Sequence, residues 1–159
     1  MKIRSSTLGF TLMELILVIV LLSILSLFVA SRFMGSGSFS AYTLQERVIS
    51  VIRQVQVNRM QSNVASPDNN FRLQVSSSCV GSVAACELTG SAQDARSDVV
   101  IDKSAKFSVI SGAANTINFN LLGNPVSGAV SILIEDKHGR SRCQVEINSQ
   151  GYVSKGTCS

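Results

Sequence analysis

The chain has 159 residues, of which 45% are apolar and only 15% charged, with no tryptophan and two prolines. At this length one domain is the expectation. The formal net charge is +4, but Lys2 and Arg4 sit in the first nine residues; removing those leaves +2, too small a surplus to argue for a nucleic-acid partner.

The apolar content is concentrated near the N-terminus. A short basic leader, residues 1–9, ends in Gly9 and is followed by Phe10. An apolar run from Leu15 to Ala30 is broken only by Ser23 and Ser26, and with Phe10 to Met13 it reaches the roughly twenty residues a helix needs to span a bilayer. One acid, Glu14, interrupts it. A lone carboxylate there costs about 3 kcal/mol on insertion scales, so a chain that keeps it is expected to use it. A secretory signal peptide is the rival reading, but it has a shorter apolar core and a small-residue cleavage site behind it. Here Ser31-Arg32-Phe33-Met34 follows the run and offers no Ala-x-Ala site, so the anchor is expected to stay on the mature protein. Lys2 and Arg4 before the run place the N-terminus in the cytoplasm by a modest positive-inside bias. Residues 32–159 then form the exported domain. Cys79, Cys86, Cys143 and Cys158 all lie on that side, where disulfides persist.

Beyond a loose stretch, Phe33 to Ser40, a second helical segment is predicted. Leu44, Val48, Val51, Ile52 and Val55 fall on one face, and Gln45, Glu46, Arg47, Ser50, Arg53 and Gln54 take the other. Gly35 and Gly37 weaken the junction, since each glycine costs about 1 kcal/mol relative to alanine in a helix. The simplest reading is one long helix with a soft point near Gly35–Ser38; two helices and a loop is the alternative. Pro67-Asp68-Asn69-Asn70 stops the helix. Period-two alternation then predicts strands over Phe71–Val75, Lys106–Ile110, Thr116–Leu121, Val130–Glu135 and Cys143–Asn148. Turns fall at Asp136–Gly139 and Ser149–Gly151, before Tyr152 and Val153. A helix on an antiparallel sheet is an α+β roll.

Leu8-Gly9-Phe10-Thr11-Leu12-Met13-Glu14 resembles the processing site of type IV pilins and type II secretion pseudopilins. The resemblance implies cleavage after Gly9, methylation of Phe10 as the new N-terminus, and an assembly role for Glu14 through the free N-terminal amine of a neighbouring subunit. Ile117-Asn118-Phe119-Asn120-Leu121-Leu122-Gly123-Asn124-Pro125, followed by a strand, Gly139, a strand and Gly151, is similar to the H-type minor pseudopilin domain (the GspH/FimT group). Short cysteine-containing members of that group include the MshC-like minor pilins of the mannose-sensitive haemagglutinin (MSHA) pilus. Together these motifs cover most of the chain, less Ser76–Ala105. The fold implied is type IV pilin-like α+β: a leader at 1–9, a transmembrane helix half at 10–31, and a periplasmic or extracellular domain at 32–159. The partners implied are a prepilin peptidase/methyltransferase, an inner-membrane assembly platform, the major pilin and other minor pilins. The implied location is the inner membrane, single-pass, and then the pilus at the cell surface. A type II secretion pseudopilin and a FimT-like DNA-binding pilin in DNA uptake are the alternatives.

Four cysteines allow three pairings. Cys79–Cys86, closing a small loop, and Cys143–Cys158, tying down the tail, are favoured. A zinc site has little support, with no C-x-x-C and one histidine, His138. Gly139-Arg140-Ser141-Arg142 has the letters of the Gly-Arg-x-Arg sequence through which some FimT-type relatives bind DNA. It falls on a hairpin turn one strand too early, aromatic residues to stack bases are scarce, and a solvated turn is the preferred reading of Arg140 and Arg142. No nucleophile–base pair, G-x-S-x-G, Walker or Rossmann glycine pattern is present, so neither catalysis nor a cofactor is expected.

Overall fold

The computed structural model describes residues 11–33, 40–112 and 114–159, with side chains described over 11–26 and from 41 on, Ala113 apart. The chain divides into two compact units, Met1–Ser36 and Gly37–Ser159.

The first unit holds α1, Leu12–Phe33. Thr11 caps it: the Glu14 N–H donates to the Thr11 carbonyl at 3.1 Å and to its hydroxyl at 3.3 Å, which satisfies a donor the first helical turn leaves open. The helical backbone runs for 22 residues. Its described side chains stop at residue 26, and among the described residues no helix is long and apolar enough to cross a membrane. The expected soft point at Gly35–Ser38 lies outside the described residues, as do Gly9 and Phe10.

The second unit opens with α2, Ser40–Gln61. It continues through β1 (Arg72–Val75), β2 (Cys79–Ser82), the single-turn helices α3 (Val83–Cys86) and α4 (Ser91–Asp94), and β3 (Val99–Ile101). It closes with β4 (Ala105–Ser111), β5 (Thr116–Asn118), β6 (Val130–Asp136), β7 (Arg142–Ile147) and β8 (Val153–Cys158). The single sheet expected from the sequence is two four-stranded sheets, ordered β3-β2-β1-β5 and β4-β6-β7-β8, antiparallel throughout. α2 packs on strands of both.

Alternation explains the strands. In β6, Val130, Ile132 and Ile134 are buried and their neighbours half-buried; in β7, Cys143, Val145 and Ile147 point inward. They meet Leu44, Val48, Ile52 and Val55 of α2, Leu73 and Val75 of β1, and Phe119 in one core. Each such side chain, taken fully from water, contributes about 1.5–3 kcal/mol.

Three expectations are corrected. Gln45, assigned to the polar face of the helix, is only 4% exposed. β7 and β8 slip register between Cys143 and Val145, and the Gln45 Nε2 donates to the carbonyls of Gln144 at 2.6 Å and Gly156 at 3.3 Å. Irregular pairing leaves backbone acceptors open, and the helix supplies the donor. The strand expected through Leu121 ends at Asn118. The Asn120 Oδ1 accepts from the backbone of Leu122 and Asn124, which turns the chain and leaves Leu121 50% exposed. Arg142, placed in the turn by the sequence, is the first residue of β7.

The cysteines form two disulfides, Cys79–Cys86 and Cys143–Cys158. Cys143 and Cys158 are directly opposed across β7 and β8, with Cα atoms 4.1 Å apart. Arg142 and Ser159 beside them exchange both backbone hydrogen bonds at 2.8 Å, so the cysteines occupy the closer, non-hydrogen-bonded pair. This bridge closes a separation of 15 residues, for which the chain-entropy account gives about 3 kcal/mol. Replacing both cysteines with serine is expected to lower unfolding stability in urea by about that amount. A larger loss than that of the Cys79–Cys86 double variant is also expected, because its loop is shorter, at 7 residues.

Candidate functional site

The sequence places its main candidates at the start of α1. Gly9 and Phe10 are outside the described residues, so their roles are left to experiment. Glu14 lies in the first helical turn, fixed by the Thr11 cap. Every side chain described on α1 is exposed, including Leu12 at 77%, Leu17 at 64% and Leu25 at 50%. Over residues 12–26 the side chains are apolar apart from Glu14, Ser23 and Ser26.

The polar groups of α1 divide into two kinds. The Ser23 hydroxyl donates to the Ile19 carbonyl at 2.7 Å, and the Ser26 hydroxyl donates to the Ser23 carbonyl at 2.8 Å. Both are satisfied within the helix and carry little cost in an apolar medium. The Glu14 carboxylate has no hydrogen-bond or ion-pair partner among the described residues.

The second constellation is the basic turn. Gly139 adopts φ 67°, and Arg140 is exposed beside it. Arg142 and Glu135 are cross-strand partners in β7 and β6. The Arg142 Nε and Nη2 donate to the Glu135 Oε1 at 2.9 and 2.7 Å. One of the two arginines weighed for a DNA contact, and read as part of a solvated turn, thus sits in an exposed ion pair of the kind worth about 1 kcal/mol or less. Among the described residues no group of three or more His, Cys, Asp or Glu side chains is placed to hold a metal.

Sequence reasoning missed a network in Ser76–Ala105. Arg96 forks onto Asp98, Nε to Oδ1 and Nη2 to Oδ2, both at 2.8 Å. The Arg96 Nη2 also reaches the Ser82 Oγ at 3.2 Å and the Asn70 Oδ1 at 3.3 Å. The Ser82 Oγ in turn accepts from the Ala85 N–H at 3.1 Å, capping α3. Burial works to raise the Asp98 pKa, but hydrogen bonds from Arg96 and Ser82 together with the Arg96 charge hold it below the usual carboxylate value. Arg96 is raised, chiefly by its hydrogen bond to Asp98. The network joins the helix-stop turn, β2, α3 and the approach to β3, and so sets the frame of the Cys79–Cys86 loop. An Arg-x-Asp spacing was its only sequence signal.

α2 carries two further polar residues within its buried stripe. Gln56, 6% exposed, donates to the carbonyls of Gly123 and Gly151 at 2.9 and 2.8 Å. Arg59, 4% exposed, donates to the Phe119 carbonyl at 3.1 Å, the Ser62 hydroxyl at 2.9 Å and the carbonyls of Val64 and Ala65 at 2.8 and 3.3 Å. Both continue the helical phase of Ile52 and Val55, which is the signal that marks them as inward-facing.

No family model and no curated protein matches the chain. Among solved structures it is similar to the type IV minor pilin FimU of Pseudomonas aeruginosa (strain PAO1). The two share 10% identity over 73% of this chain and 92% of that one, with a TM-score of 0.46. At this distance no residue of that protein is carried across.

Proposed function

We propose that this chain is a minor pilin of a type IV, MSHA-like pilus, incorporated through its N-terminal helix. In this reading residues 1–9 are a leader, 10–31 a membrane-spanning helix half that becomes filament core, and 32–159 a domain exported to the periplasm and then the cell surface. It works by register and contact in priming or supporting a fibre, not by chemistry. The observation that carries it is α1: over residues 12–26 its side chains are exposed and mostly apolar, and among the described ones Glu14 in the first turn is the polar group without a partner. Lipid suits the apolar surface before assembly, and like helices suit it afterwards. An acid paired with an amine on the next helix removes both charges from lipid and fixes axial register. The processing motif supplies that amine at Phe10 by resemblance. A prepilin peptidase/methyltransferase, an assembly platform and other pilins are the proposed partners.

The test is the intact, non-reduced mass of the protein in sheared surface fibres and in the membrane fraction. The expected species lacks residues 1–9, is one methyl heavier, has no free thiol and is present in the fibres. The same species confined to the membrane would move the assignment to a secretion pseudopilin or a subunit of a DNA-uptake machine. An uncut chain in both fractions would sink the pilin reading.

A further inference from the structure

A groove of about 470 Å³ opens beside Arg59, where the end of α2 meets β1 and the segment following β5. Arg59 and Arg72 both line it, with Asn118, Asn120 and Val126. Neither arginine has a carboxylate partner: the ion pairs among the described residues are Arg96–Asp98, Arg142–Glu135 and Lys155–Glu46. Arg59 is almost wholly buried, so its charge is largely withdrawn from water without an anion to balance it.

The hydrogen-bond inventory sharpens this. A guanidinium has five N–H donors. Four of those on Arg59 are directed at protein oxygens, leaving one on Nη2 without a partner. The Arg72 Nε donates to the Asn118 Oδ1 at 2.9 Å, and both terminal nitrogens of Arg72 have no partner among the described residues. Because Asn118 and Asn120 use their side-chain oxygens on Arg72 and on the backbone N–H groups of Leu122 and Asn124, their amide nitrogens are the free ends. The side chains of the groove therefore offer free donors and two cationic heads, and each of the two asparagine oxygens already accepts a hydrogen bond. The two positive charges disfavour a cation, whereas an oxyanion finds unpaired N–H groups from two guanidinium forks.

We propose that this groove is an oxyanion site, which takes a carboxylate or phosphate group with Arg59 and Arg72 as its charged walls. The anion is supplied either by a free small molecule or by an acidic side chain of a second copy of this chain. Arg59 has a structural duty as well, since it fastens the segment after α2 to the Phe119 backbone. Arg72 is half-buried and makes one side-chain contact, so it is the residue on which to test binding.

The experiment uses the full chain, labelled with nitrogen-15, in detergent micelles. Sodium acetate and sodium phosphate are titrated against sodium chloride at matched ionic strength while the arginine Nε–H signals are followed. Saturable shifts of Arg59 and Arg72 with acetate or phosphate, absent with chloride, are expected. Arg72→Gln should weaken that binding about fivefold or more, because it removes the charge-assisted contacts. The rest of the amide spectrum should keep its dispersion. Shifts that follow ionic strength alone, or binding unchanged in Arg72→Gln, overturn the proposal. Sedimentation at rising protein concentration separates the sources. A dimer that acetate or phosphate dissociates, and that Arg72→Gln fails to form, assigns the anion to a second copy. A monomer that still binds the probe assigns it to a free anion.

Discussion

Glu14→Ala is expected to reduce the protein in sheared fibres by about a hundredfold or more, since on the proposed pairing with the Phe10 amine it removes one partner of a desolvated ion pair, at roughly 3–5 kcal/mol. Its amount in the membrane fraction should stay the same or rise. The Gly37–Ser159 unit should keep both disulfides, since all four cysteines lie within it. Glu14→Gln, which keeps the shape and loses the charge, should fail in the same way if an ion pair is the mechanism. Ser23→Ala is the matched control within the helix. Its hydroxyl is already bonded to the Ile19 carbonyl, so removing it takes nothing from a neighbouring chain and fibre content should be unchanged. Quantitative immunoblotting of fibre and membrane fractions reads all three. Glu14→Ala found in fibres at the wild-type level would sink the assembly role.

The second large effect concerns stability. The Asp98 side chain is 6% exposed and that of Arg96 33%, so the two truncations are not equivalent. Arg96→Ala leaves a buried carboxylate with the Ser82 hydroxyl as its remaining side-chain donor and is expected to cost about 3–5 kcal/mol. Asp98→Asn leaves a part-exposed guanidinium that water reaches, and should cost less. Combining the two should recover part of the Arg96→Ala loss, since no unpaired buried charge is left. The pH dependence follows in sign. The folded-state pKa of Asp98 lies below its ordinary value of 3.8. The carboxylate then contributes stability that is fully present above the unfolded-state pKa and is lost as pH falls through the lower, folded value. Urea unfolding of wild type and Asp98→Asn should show a constant gap from neutral pH down to about 5, narrowing only below about 4. A gap that narrows between pH 8 and 6 would show that Asp98 is not its source.

The elements legible in the sequence are those with an apolar period, which includes the short β1 and β5 and leaves out β8, where Lys155 and Gly156 interrupt the alternation. α2 and β4, β6 and β7 run for 6 to 22 residues, and their apolar phases were plain. β2 was invisible because all four of its residues are buried, leaving no alternation to see. Its Gly81 has no room for a side chain: a Cβ there would lie 2.6 Å from the Asp98 carbonyl. α3 and α4, one turn each, carry no helical stripe. Among the site residues, Glu14 stood out because a carboxylate in an apolar run is costly. Arg59 and Gln45 did not, since a polar residue on a helix looks the same whether solvated or buried until the backbone carbonyls it serves are located; nor did Arg72, which alternates with the core residues of β1 as a solvated residue would.

The Cys143–Cys158 bridge also governs how the edge of the second sheet can open. β8 is an edge strand, and the bridge pins one end of its pairing with β7. Peeling of β8 can then begin only at its Val153 end, so fraying of this edge is one-sided. Reducing the bridge frees the other end as well, and a strand that could be peeled from one side can then be lost from both.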